Sequence, residues 1–117
     1  MADEECTTVF QALADATRLR ILEFLKKETE LCVSDIAGRF DMKQPSISHH
    51  LDVLKRAGLV TSEKRGREVY YRFDREAILD CCGKQLRVFD LEIRMVQEGD
   101  RKMIVAREED DDDGPSA

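Results

Sequence analysis

The stretch QPSISHHLDVLKRAG, residues 44–58, has the periodicity of a single helix. Pro45 suits the first turn, where its missing N–H would lack an intrahelical partner anyway. Ile47, Leu51 and Leu54 recur at helical spacing and form one apolar face. The opposite face carries Ser46, Ser48, His49, Asp52 and Arg56, which are short or polar. Gly58 ends the helix, and the apolar pair Leu59-Val60 begins the next element. A thin apolar seam behind a front of hydroxyl, amide and imidazole groups suits the major groove, where base edges and phosphates need donors and acceptors. An ordinary amphipathic surface helix shares this periodicity, so the flanking residues must separate the two readings.

On the N-terminal side, Val33 to Phe40 reads as a short helix and Asp41-Met42-Lys43 as a tight turn, which is helix-turn-helix spacing. On the C-terminal side, Leu59 to Phe73 contains two strand-like runs that meet at Arg65-Gly66-Arg67. In the second run Val69, Tyr71 and Phe73 alternate with Tyr70 and Arg72, and Gly66 permits the turn. The expected fold is mostly α with a small β-hairpin (α+β), a winged helix-turn-helix. Several segments resemble the ArsR/SmtB family of small bacterial and archaeal repressors. They are FQALADATRLRIL (10–22), ELCVSDIA (30–37), QPSISHHL (44–51), LKRAGLV (54–60) and REVYYRF (67–73). The likeness covers about residues 5–97, in order and with the right spacing. It implies a homodimer, joined through its first and last helices, that represses transcription from double-stranded operator DNA.

Composition is compatible with this. A chain of 117 residues, 42% hydrophobic and 38% charged, forms one domain with a modest core. No run approaches the roughly 18 apolar residues of a membrane span, and the acidic start MADEEC has no signal-peptide character, so no membrane partner and a cytoplasmic location are expected. The net charge of −6 is unevenly spread: residues 108–113 are six acids, and removing them leaves residues 1–107 neutral. Within Thr61–Arg72, Lys64, Arg65, Arg67 and Arg72 face Glu63 and Glu68, an excess of two positive charges. A neutral body with a basic wing tolerates phosphate contact.

The expected DNA contacts are Gln44, Ser46, Ser48 and His49 to bases and phosphates, Lys43 and Arg56 to phosphates, and Lys64, Arg65 and Arg67 from the wing. His50, beside Leu51 and three residues from Ile47, reads as a structural hydrogen-bonding histidine. Upstream, Thr7–Leu13 forms a first helix burying Val9, Phe10 and Leu13. Asp15 or Thr17 starts a second, running to about Lys27, with Leu19, Ile21, Leu22 and Leu25 on its core face. Arg18 and Arg20 serve structural ion pairs rather than phosphate. From Asp74 a long helix is expected, because Leu79, Cys82, Leu86, Phe89, Ile93 and Val96 follow a heptad-like seam suited to another helix. Two protomers then present recognition helices about 34 Å apart, so the operator is an imperfect inverted repeat.

Four cysteines in a chain without an export signal are expected to be reduced thiols. Cys32 falls at a helix N-cap, where sulfur caps poorly but the helix dipole favours thiolate. In the family's arsenic and cadmium sensors ELCVCD places a ligand pair here; this chain has Ser34 in the second position. Cys82 lies on the seam and Cys81 about 100° away. Adjacent thiols on this helix occur in relatives that bind soft ions, whereas the zinc sensors' ligands are absent, since no histidine follows His50. Cys6 is either a further ligand or a bystander. The sensor set is therefore Cys32, Cys81, Cys82 and Cys6, and the expected inducer As(III), Cd(II) or another thiophilic ion. Thiol oxidation or persulfide chemistry, and a repressor with no small-molecule inducer, are the alternatives. No resident cofactor and no catalysis are expected, because no orienting group completes a Cys–His dyad. Residues 98–117 read as an acidic, disordered tail that aids solubility or competes with DNA for the wing.

Overall fold

The computed structural model describes residues 4–99 and 101–108. Helix α1 (Glu4–Leu13) and helix α2 (Ala16–Glu28) are joined by a two-residue bend. Asp15 caps α2, its carboxylate accepting the Arg18 N–H at 3.0 Å, which satisfies one of the donors a helix leaves open at its start. Strand β1 (Leu31–Cys32) leads directly into α3 (Val33–Ala37), and α4 (Gln44–Arg56) follows the turn. Strands β2 (Val60–Arg65) and β3 (Glu68–Phe73) form the wing, with β1 on the other edge of β3 in an antiparallel sheet of order β1-β3-β2. Helix α5 (Arg75–Val88) is capped by Asp74 and packs on α1.

Two turns show why these elements end where they do. After α4, Gly58 adopts φ +80°, and its N–H donates to the Lys55 carbonyl at 3.0 Å while the Leu59 N–H donates to Leu54, also at 3.0 Å. This paired closure is a Schellman motif, and the buried Leu54 and Leu59 supply its usual apolar contact. In the wing, Arg65 pairs with Glu68 across a two-residue loop in which only Gly66 has positive φ, +64°. A glycine at that first loop position matches the twist of a tight hairpin.

The core joins α1, α2, α3, α4 and the start of the wing. Ile47, Leu51 and Leu54 of α4 are fully buried against Ile21, Leu25, Ile36 and Leu59. Two expected core residues face outward. Phe10 is 37% and Leu19 49% exposed. At 100° per residue each lies about a quarter-turn or more from the mean direction of its helix's buried residues, which are Cys6, Val9 and Ala12 in α1 and Ile21, Leu22 and Leu25 in α2.

The C-terminal part departs most from the sequence expectation. Helix α5 stops at Val88, Asp90 takes φ +60°, and Leu91–Glu98 (β4) pairs antiparallel with Arg101–Glu108 (β5). Ile93 and Val96 thus belong to a strand rather than to the expected helical seam, and part of the tail expected from residue 98 is strand. The physical reason is a competing period. Leu91, Ile93 and Met95 alternate with Glu92 and Arg94, and Gly99-Asp100 suits a two-residue hairpin loop. The acidic residues 109–113 lie outside the described residues. Among those described, no helix is long and apolar enough to cross a membrane.

Candidate nucleic-acid interface

Helix α4 is fixed from behind and open in front. Its three buried leucine and isoleucine side chains leave it little freedom to rotate, while Gln44, Ser46, Ser48 and His49 are exposed. Lys43, also exposed, occupies the N-cap, and no side chain caps the helix there. Asp52 and Arg56 form an i,i+4 ion pair on the surface. That pair holds Arg56 along the helix, and a phosphate must compete with Asp52 for it.

His50 plays the structural part. Arg18 donates through Nε to the Ala12 carbonyl at 2.7 Å, through Nη2 to Gln11 at 3.3 Å, and lies 3.2 Å from His50 Nδ1 through Nη1. A guanidinium has no acceptor, so in this contact His50 Nδ1 accepts. Arg18 therefore ties the end of α1 to the middle of α4. Arg20 lies over the Phe24 and Phe40 rings at 5.9 and 5.8 Å, a second arginine used for packing.

In the wing, Lys64 and Arg67 are exposed, but Arg65 is engaged. Its two terminal nitrogens donate to both oxygens of Glu30, at 3.0 and 2.5 Å, and one also reaches Glu63 at 2.9 Å. The guanidinium sits 4.7 Å from the centre of the Tyr70 ring. This fork holds the Glu30 carboxyl below the ordinary carboxylate range and raises the Arg65 pKa. The sequence alone suggests a free basic tip, because Glu30, which takes both terminal nitrogens of Arg65, lies 35 residues away and carries no local signal.

The cysteines fall into two places. Cys32 is buried, pairs from β1 with Tyr70 of β3, and sits at the N-cap of α3 without a side-chain cap bond; its Sγ is 3.3 Å from Ser34 Oγ. The other three cluster where α1 meets α5. Cys81, rather than Cys82, is the buried one, and it lies beside Cys6, which is fully buried. The seam expectation reversed these two because Ala77, Ile78 and Cys81 form the face of α5 that meets the core. Burial, with the neighbouring Cys6 thiol second, pushes the Cys81 thiol up to about 12; burial and then Cys6 raise Cys82 as well. Both are protonated at neutral pH, so a soft ion must displace their protons to bind. Among the described residues, no three histidine, cysteine or acidic side chains form a ready metal-holding group. A cleft of about 360 Å³ between α1, the end of α4 and α5 has Cys81 in its wall.

Comparison with known proteins agrees with this geometry. The family model described as "Bacterial regulatory protein, arsR family" matches residues 15–62. The transcriptional repressor SdpR of Bacillus subtilis is 39% identical over 72 residues, covering 62% of this chain and 79% of that protein. The arsenical resistance operon repressor of Staphylococcus aureus is 36% identical over 90 residues, covering 77% and 85% respectively. Among solved structures, the homodimeric winged helix-turn-helix DNA-binding domain from Mycobacterium bovis superimposes with a TM-score of 0.60 at 30% identity, over 74% of this chain and 81% of that one. With a rigid helix-turn-helix, a glycine-turned wing and relatives matched over most of their length, the chain belongs to the ArsR family of winged helix-turn-helix transcriptional regulators.

Proposed function

We propose that this chain is a homodimeric repressor that places α4 in the major groove of an imperfect inverted repeat and leaves it when a thiol-directed signal arrives. The observation that carries the reading is the division of α4 into a fully buried face and an exposed front of Gln44, Ser46, Ser48 and His49 beside the wing. Bases are read by such groups, and Lys43, Arg56, Lys64 and Arg67 supply phosphate contacts. Dimerisation is supported by the apolar residues that α1 and α5 leave uncovered, Phe10, Val88 and Phe89, the last 70% exposed. The inducer on this reading is As(III), Cd(II) or a similar soft ion; Cys6, Cys81 and Cys82 form no ready group of three and must rearrange to bind it, while Cys32, the fourth expected ligand, lies apart from them. The coupling between the two sites is then of the usual size, about 1–3 kcal/mol.

A second reading of the signal rests on the placement of Cys6 and Cys81 together in the buried core where α1 meets α5. Two adjacent thiols can be oxidised by a peroxide, losing two protons and two electrons to form a disulfide while the peroxide becomes two waters. One titration tests both. Fluorescence anisotropy of the reduced protein on DNA from just upstream of its gene is measured at fixed salt, with arsenite, cadmium or hydrogen peroxide added. Ion-induced release with thiolate charge-transfer absorption supports the first reading; release by peroxide alone, reversed by reductant, supports the second.

A further inference from the structure

Glu30 is a residue that the DNA-binding reading leaves unused. It follows the sharp bend at Thr29, whose φ is +68°, and its own N–H donates to the Glu28 carbonyl at 2.6 Å. The next residue, Leu31, is already paired with Tyr71. Backbone geometry thus fixes Glu30 at the entrance to the helix-turn-helix. From there its carboxylate takes both terminal nitrogens of Arg65 and lies 3.5 Å from Nε of Arg72. Because β3 separates β1 from β2, the Glu30–Arg65 contact spans the sheet, crossing over Tyr70. Only 22% of the Glu30 side chain is exposed, whereas Arg65 and Arg72 keep 44% and 60%. Two arginines thus converge on one carboxylate, and Glu63 takes a further bond from Arg65.

We propose that Glu30 is the positioning residue of the wing. It clamps the hairpin to the start of the helix-turn-helix, Arg65 is the brace it grips, and phosphate contact from the wing falls to Lys64 and Arg67. A bidentate fork fixes direction as well as distance, which a lysine in the same place does not. This inference rests on the wing being a DNA contact, and it changes the role of one arginine within that surface.

Two opposite outcomes follow for Glu30→Gln. If Arg65 contacts DNA directly, Glu30 competes with phosphate, and its neutralisation tightens binding. If Arg65 is a brace, neutralisation loosens the wing and weakens binding. The test is operator anisotropy for Glu30→Gln, Arg65→Gln, Arg65→Lys and the Glu30→Gln/Arg65→Gln double variant. Amide hydrogen exchange of residues 68–73 is measured alongside in the DNA-free proteins. The clamp predicts that both single glutamine variants weaken binding by about two- to fivefold, within the range of an ordered pair. It predicts that the double variant is no weaker than the weaker single, and that Arg65→Lys behaves like Arg65→Gln. Exchange in residues 68–73 should quicken while α4 stays protected. Tighter binding by Glu30→Gln, or additive effects in the double variant, overturns the clamp. If the wild-type protein binds no DNA while the exchange difference persists, the clamp stands and the DNA-binding reading falls.

Discussion

Replacing Leu51 with alanine and Ser48 with alanine should separate the two faces of α4 within one turn of helix. Leu51 is fully buried among Ile47, Leu54 and the core around them, while Ser48 is exposed. Leu51→Ala removes three carbons, worth about 0.8 kcal/mol each on transfer from water, or roughly 2.4 kcal/mol in all. A cavity that the surrounding core fills only in part raises this to about 3–4 kcal/mol. Against a typical domain stability of about 5–15 kcal/mol that is a large fraction. Urea unfolding followed by circular dichroism, at one protomer concentration so that dimer linkage stays constant, should show the midpoint falling by about 1.5–4 M for an m-value of about 1–2 kcal/mol/M. Ser48→Ala should leave the unfolding free energy within about 0.5 kcal/mol of wild type and weaken operator binding, with little change on random DNA. A Leu51→Ala loss below about 1 kcal/mol would refute the buried face, since no collapse of a well-packed core absorbs so much.

Other perturbations probe separate links. Gly58→Ala meets no atom within 4 Å, so its penalty comes from the +80° φ alone; a loss of about 1–2 kcal/mol in urea unfolding is expected. Asp15→Ala removes the cap of α2 and should cost about 1 kcal/mol near neutral pH. The hydrogen bond from the Arg18 N–H holds the Asp15 carboxyl below its ordinary value. Its stabilisation is therefore present above the unfolded aspartate value near 4 and is lost as pH falls through the lower folded one, so Asp15→Ala should flatten the acid limb of the stability profile. Cys81, whose thiol is pushed up by burial, holds far less thiolate at neutral pH than a free cysteine. Alkylation at neutral pH, followed by mass spectrometry, should label it far more slowly in the native protein than in urea; equal rates would refute its burial.

Much of the architecture was legible because its signals are local. Ile47, Leu51 and Leu54 mark a helical face within eight residues, and Pro45, Gly58 and Gly66 punctuate the elements around it. Strand β1 was not legible, since two residues carry no period and Leu31-Cys32 is a strand only because Tyr70 and Tyr71 lie beside it. The end of α5 was misread because Leu79, Leu86 and Ile93 satisfy a period of seven while 91–95 also satisfies a period of two. The alternation, followed by Gly99-Asp100, was the available signal. Within the candidate site, the exposed front of α4 followed from helical geometry. The roles of Arg65 and Cys81 depended on Glu30 and Cys6, partners 35 and 75 residues away in the chain, which no window on the sequence contains.

Whether the front of α4 reads DNA is tested by comparing two affinities in two proteins. The reduced wild-type chain and a Gln44→Ala/Ser46→Ala/Ser48→Ala variant are titrated by anisotropy against the fragment upstream of the gene and against random DNA, at the same salt. Wild type should prefer the upstream fragment. The variant should keep its urea midpoint and its binding to random DNA and lose most of that preference, each base contact being worth about 1–3 kcal/mol. A variant with undiminished preference, or a wild type that binds neither DNA, would contradict DNA reading by α4.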